Sequence, residues 1–160
     1  IAVNKVVEGG QTPLLSAASR GHLACMGALL NHKDVDVNES DNDGKSPLWW
    51  AAKNGHSSCV NALLNAPKID VNKTDKLGET PLFCATASNQ FDCVVALLTH
   101  TDVDVNKAPP LGQTPLECAQ VKGFTKICAS LQEAGAEDPQ AQGTKAREDC
   151  WCEIKQLKFW

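Results

Sequence analysis

Residues 44–56 read Gly44-Lys45-Ser46-Pro47-Leu48-Trp49-Trp50-Ala51-Ala52-Lys53-Asn54-Gly55-His56, and this stretch decides the fold. Ser46 can set its hydroxyl on the free N–H groups of a helix start. The proline after it suits the first helical position, where its missing donor costs nothing. About two turns later Gly55 enters a left-handed conformation cheaply and stops the helix. A second apolar pattern follows in Cys59, Val60, Leu63 and Leu64, whose spacing marks one face of a second helix. The stretch predicts helix, tight turn, helix.

The same pattern recurs along the chain. Gly-x-Thr/Ser-Pro-Leu begins at Gly10, Gly44, Gly78 and Gly112, at a constant spacing of 34. The pieces Ile1-Ala2-Val3-Asn4, Val35-Asp36-Val37-Asn38, Ile69-Asp70-Val71-Asn72 and Val103-Asp104-Val105-Asn106 step by 34 as well. Each reads as a short extended segment that leads into a glycine turn. Thr12, Thr80 and Thr114 take the place of Ser46, and Gly21, Asn89 and Gly123 that of Gly55. Two motifs in one register identify an array whose units bury their apolar faces against their neighbours.

Extended turn, helix, helix, with Gly-x-Thr-Pro-Leu and Gly-His, resembles the ankyrin repeat, over about residues 1–138. The resemblance implies an all-α repeat solenoid, a curved stack of helix pairs with hairpins projecting at one edge. The period is one residue longer than the family's usual value of about 33. The register places the extra residue between the second helix and the extended piece. Asn89-Gln90 replaces Gly-His in the third unit. The units span residues 7–40, 41–74, 75–108 and 109–138, with 1–6 as the tail of a preceding unit. The chain is thus expected to be a monomeric segment of a longer protein. Lys126, Ser130, Gln132 and Glu133 make the last second helix more polar, which suits a capping unit. Residues 139–160 read as a linker and an amphipathic helix, with Cys150, Ile154, Leu157 and Trp160 on one face. That face packs on the fourth unit, docks on a partner or a further domain, or lies on a membrane surface, the last disfavoured by its mixed charges.

Composition narrows the function. The 160 residues carry 15 basic and 19 acidic side chains, a net charge of −4, which argues against nucleic acid as the main partner. No apolar run approaches the roughly 18 residues needed to span a bilayer. Of eight cysteines, Cys25, Cys59, Cys93, Cys84, Cys118 and Cys128 follow the repeat closely and read as core fillers. None forms a zinc-ligand spacing with a matching second pair, and Cys150-Trp151-Cys152 is too short a motif to identify a metal site. Glu39, Asp41, Asp43 and Gly44 resemble the opening of a calcium loop, but its twelfth position is Trp50 and Pro47 starts a helix inside it. His22 and His56 share one repeat position, and His32 and His100 another. No nucleophile motif, phosphate loop or cofactor-binding motif is present, so no enzyme activity and no cofactor are expected.

The resemblance implies a module that binds a protein partner through hairpin tips and the exposed faces of first helices, on the concave side. A structural spacer, or a regulatory domain of a larger protein, is the alternative. Carried over by position, the binding side comprises Arg20, Asn42, Asp43, Lys45, Trp49, Lys53, Asn54, Lys76, Leu77, Glu79, Ser88, Leu111, Gln113 and Lys122. These vary between units while the framework repeats. Trp50 is expected in the core, and two placements are open for Trp49: inter-repeat packing, or a partly exposed anchor of the interface. Six thiols at core positions without a disulfide framework imply an intracellular protein, cytoplasmic or nuclear. Asn38, Asn72 and Asn106 resemble asparagines that oxygenases hydroxylate in similar repeats, or else they tie the turn by hydrogen bonds.

Overall fold

The structure, a computed structural model, describes residues 3–6 and 8–138, so the amphipathic segment 145–160 lies outside the described residues. Four helix pairs follow one another: α1 (Pro13–Arg20) with α2 (Leu23–Leu30), α3 (Pro47–Lys53) with α4 (Ser57–Leu64), α5 (Pro81–Ala87) with α6 (Phe91–Leu98), and α7 (Pro115–Lys122) with α8 (Thr125–Glu133). First helices stack on first helices and second on second, in a helical solenoid. No β-strand occurs among the described residues.

Each first helix starts as the sequence predicts. The hydroxyls of Thr12, Ser46, Thr80 and Thr114 accept from the backbone N–H three residues on, at 3.1–3.2 Å. Glu117 closes a capping box by accepting from the Thr114 N–H at 2.8 Å. At the turn between helices, Gly21, Gly55 and Gly123 have φ of 73°, 80° and 74°. Asn89 supplies the same left-handed step in the third unit, with φ 55°, because asparagine tolerates that region. Gln90 also replaces its histidine: its Nε2 donates to Lys53 O at 3.3 Å, while His56 Nε2 lies 3.2 Å from Ser19 O. A Cβ at Gly21 would come within 2.6 Å of the His56 ring, so the close approach requires glycine there.

The core repeats with the sequence. Leu14, Leu48, Leu82 and Leu116 are buried, and Ala17, Ala51, Ala85 and Ala119 keep the first helices close. Two buried polar atoms among the described residues have no partner, Trp49 Nε1 and the hydroxyl of Thr86, which stands where the units before it carry Ala18 and Ala52.

The Val/Ile-Asp-Val-Asn pieces differ from the expectation of an extended segment. Asp36, Asp70 and Asp104 each accept from the N–H two residues on at 2.9–3.1 Å, closing a turn before any strand forms. The asparagines then join successive units. Asn38 Nδ2 donates to Lys68 O at 2.7 Å and its Oδ1 accepts from Asp70 N at 2.9 Å; Asn4 and Asn72 do the same one unit away on either side.

Cysteine burial follows the register. Cys59, Cys84, Cys93 and Cys118 are buried; Cys128, one position past the buried Ile127 that continues the series, is only half-buried, and Cys25 at the first described helix pair is exposed, contrary to the expectation that all six fill the core. The reason is positional. The Cys93 thiol reaches back to Ala51 O, in the first helix of the preceding unit, at 4.0 Å. Cys25 occupies the same place in α2, where the described chain has no preceding helix pair. Pro13 is exposed for the same reason, whereas Pro47, Pro81 and Pro115 are buried.

Candidate protein-binding surface

The candidate side is built from the hairpin tips and the last turns of α1, α3, α5 and α7. The hairpin before α3 is closed by Gly44 N to Asp41 O at 2.9 Å and Asp41 N to Lys45 O at 3.1 Å. The Asp41 carboxylate stitches it from within, accepting from Asp43 N and Lys45 N at 3.0 Å through one oxygen and from Trp50 Nε1 at 2.9 Å through the other. Asp75 does the same for the next hairpin, accepting from Leu77 N and Glu79 N at 2.9 Å. Adjacent tips are joined by Lys76 N donating to Asp43 O at 2.9 Å. The carboxylates that resemble a calcium loop are thus committed: Asp41 to its hairpin, Asp43 to Lys45 at 3.0 Å. The Lys45 hydrogen bond, with its charge, holds the Asp43 carboxyl below the ordinary carboxylate range, and the same bond raises Lys45.

Of the two placements open for Trp49 the structure takes inter-repeat packing, and Trp50 departs from the core place expected of it. Trp49 is 1% exposed, so it is a packing residue and cannot be a surface anchor. Trp50, expected in the core, is only partly buried. Two causes act together. The Lys45 and Lys53 side chains lie over the Trp49 ring, with Nζ 5.1 and 4.8 Å from its centroid, and long lysine stems cover apolar surface while their ammonium groups stay wet. Trp50, one residue on, is drawn toward the hairpin by its bond to Asp41. The indoles meet edge to face at 5.1 Å and 77°.

The other candidates divide into those already occupied and those open. Asn54 Nδ2 donates to Ser19 O at 2.8 Å and Lys122 Nζ to Ala87 O at 2.7 Å, so both also fasten one unit to the next. Glu79 accepts from the Cys84 thiol at 3.6 Å. Burial first, then the Glu79 charge, pushes that thiol far above its ordinary range. Ser88 caps α5, and Arg20 lies at the end of α1 beside a shallow groove lined by Gln11, Ser16 and Ser19. Asn42, Lys76 and Gln113 are exposed. Leu77 and Leu111 point outward from their tips, 69% and fully exposed, and Val121 is 72% exposed at the end of α7. Trp50 and Asp41 are what the sequence reading missed; the repeated aspartate at 41 and 75 was the signal for the hairpin stitch.

No helix among the described residues is long and apolar enough to cross a membrane. No curated protein matches the chain. A family model for ankyrin repeats, in blocks of three copies, matches residues 2–75 and 67–142, nearly nine-tenths of the sequence. With the capped first helices, the left-handed turns and the stacked pairs described above, the chain belongs to the ankyrin repeat family.

Proposed function

We propose that this chain binds a protein partner on its concave side, with Trp50, Lys53 and Leu77 at the centre of the contact. Ankyrin repeats are in general protein–protein interaction modules and typically non-enzymatic, and that coarser role comes with the family. The finer assignment rests on one observation: two exposed apolar side chains, Leu77 and Leu111, stand at hairpin tips of the array that also carries a half-buried indole and lysine ammonium groups, on positions that vary while the framework beneath them repeats. Aromatic and aliphatic side chains ringed by polar groups make effective interface centres. Trp50 takes over the anchoring role that the sequence reading left open for Trp49. Arg20, Asn42, Gln113 and Lys122 form the rim. The module works inside the cell, where its thiols stay reduced.

The test is capture of partners from the native cell by the full chain and by two variants. Leu77→Ser should abolish retention of a partner that Val95→Ser, on the exposed face of α6, leaves intact. Loss with Val95→Ser alone would move the interface to the second-helix side.

A further inference from the structure

Charge and shape on the proposed surface specify what kind of segment it takes. Of the fourteen candidate positions five are basic and two acidic, in a chain whose net charge is −4. Asp41 and Asp75 add negative charge that acts on Lys45, so the excess is small and the ammonium left without a carboxylate partner decides. Asp41 is taken by two backbone N–H groups and Trp50 Nε1, and Asp75 is buried and takes two more. Asp43 is paired with Lys45. The Lys53 ammonium lies over both indoles, 4.8 and 5.9 Å from their centroids, with no carboxylate within 4.0 Å among the described residues. A solvent-facing cation that lies over two rings without a carboxylate partner gains from an added anion.

The hairpin tips of the next two units add exposed apolar side chains and a backbone acceptor without a protein donor. Lys76 N–H donates to Asp43 O, but one unit on its place is taken by Pro110, which has no N–H. The Leu77 carbonyl therefore receives no hydrogen bond from that hairpin, and none from another described residue. Leu77 itself, and Leu111 at the tip of the next hairpin, carry exposed side chains.

We propose that the concave side takes an extended protein segment in which an acidic residue lies close to an aliphatic one, the carboxylate pairing with Lys53 over the indoles, the aliphatic side chain covering Leu77 and Leu111, and a backbone N–H of the segment reaching the Leu77 carbonyl. This rests on the concave-side reading and adds the chemistry of the partner. An extended segment suits the site because it supplies main-chain donors and alternating side chains at once.

The experiment is selection of a random twelve-residue peptide library displayed on phage against the full chain, followed by synthesis of the consensus peptide and titration against variants. The selected peptides should be enriched in Asp or Glu beside Leu, Ile or Val. Their affinity should fall at least about tenfold in Lys53→Gln and in Leu77→Ser, and should weaken as salt is raised. Circular dichroism of each variant checks that the fold is retained. Basic or acid-free peptides that are lost in Leu77→Ser overturn the acidic assignment and leave the concave reading standing. Peptides indifferent to Lys53→Gln and Leu77→Ser but lost in Val95→Ser remove both. Failure to enrich any peptide overturns the proposal as well.

Discussion

The hairpins of residues 41–45 and 109–113 occupy the same place in the register and are built on different physics. The first is stitched by Asp41, tied to its neighbour through Asp43 O, and covered by the Lys45–Asp43 pair at 3.0 Å. In the second, Pro109 stands where Asp41 and Asp75 supply a carboxylate, and Pro110 removes a donor. Its tip, Leu111, is fully exposed. Two prolines stiffen that hairpin by limiting φ, where the earlier ones are stiffened by hydrogen bonds. The scaffold thus tolerates two solutions to one turn, and the change leaves a charged tip at one end of the surface and an apolar tip at the other. Beneath the tips the two units converge, because Leu48 and Leu116 bury equally well.

The strongest way to break this contrast is to remove what supports the charged unit. Trp49→Ala deletes a fully buried indole under Lys45 and Lys53 and should cost about 3–5 kcal/mol, read in urea unfolding. If Trp49→Ala keeps wild-type stability and loses only affinity, Trp49 belongs to the interface after all.

Making the charged hairpin resemble the proline-built one is the next test. Asp41→Ala leaves two backbone N–H groups and Trp50 Nε1 without their acceptor, so stability should fall by about 1–3 kcal/mol. An unchanged unfolding midpoint would show that the carboxylate is not what holds residues 41–45.

A smaller effect is expected between the two units, in α5. Thr86→Val keeps the shape and removes a buried hydroxyl that has no partner, so the protein should gain up to about 1 kcal/mol. A loss of stability would mean that the hydroxyl is bonded in solution.

The thiols probe the stack from the side. Burial pushes Cys93 from 9.0 to about 11. Below pH 9 it is protonated in both folded and unfolded chains, and its contribution is fully present. Between pH 9 and 11 the unfolded chain releases the proton while the folded one retains it, so stability should fall as pH rises through that window. Alkylation at pH 8, followed by peptide mass spectrometry, should label Cys25 well before Cys84 or Cys93. Rapid labelling of Cys93 would contradict its burial.

Helix starts, left-handed turns and the leucine-alanine core were legible from the residues because they depend on contacts a few positions apart and repeat four times. Asn89 and Gln90 kept the third turn because asparagine tolerates φ 55° and glutamine reaches the same carbonyl as histidine. What depends on the edge of the described stack is hidden: Cys25 holds the same register position as Cys59, and it is exposed because no described helix pair precedes it. The place of Trp49 stays open in the sequence, and that of Trp50 differs from the core, for a related reason. Which of two adjacent indoles is covered depends on where Lys45 and Lys53 rest and on the reach of Asp41, none of which a repeat position encodes. The Val-Asp-Val-Asn turns were misread because alternation looks the same whether the aspartate faces solvent or caps its own backbone.

The most direct test of the central claim is hydrogen exchange of the full chain with and without a saturating partner captured from its native cell. If the concave side binds, amides of residues 41–45, 75–79 and 111–113 and the last turns of α3 and α5 should gain protection, while α4 and α6 stay as they were. Protection confined to α4 and α6, with the hairpins unchanged, would contradict the account.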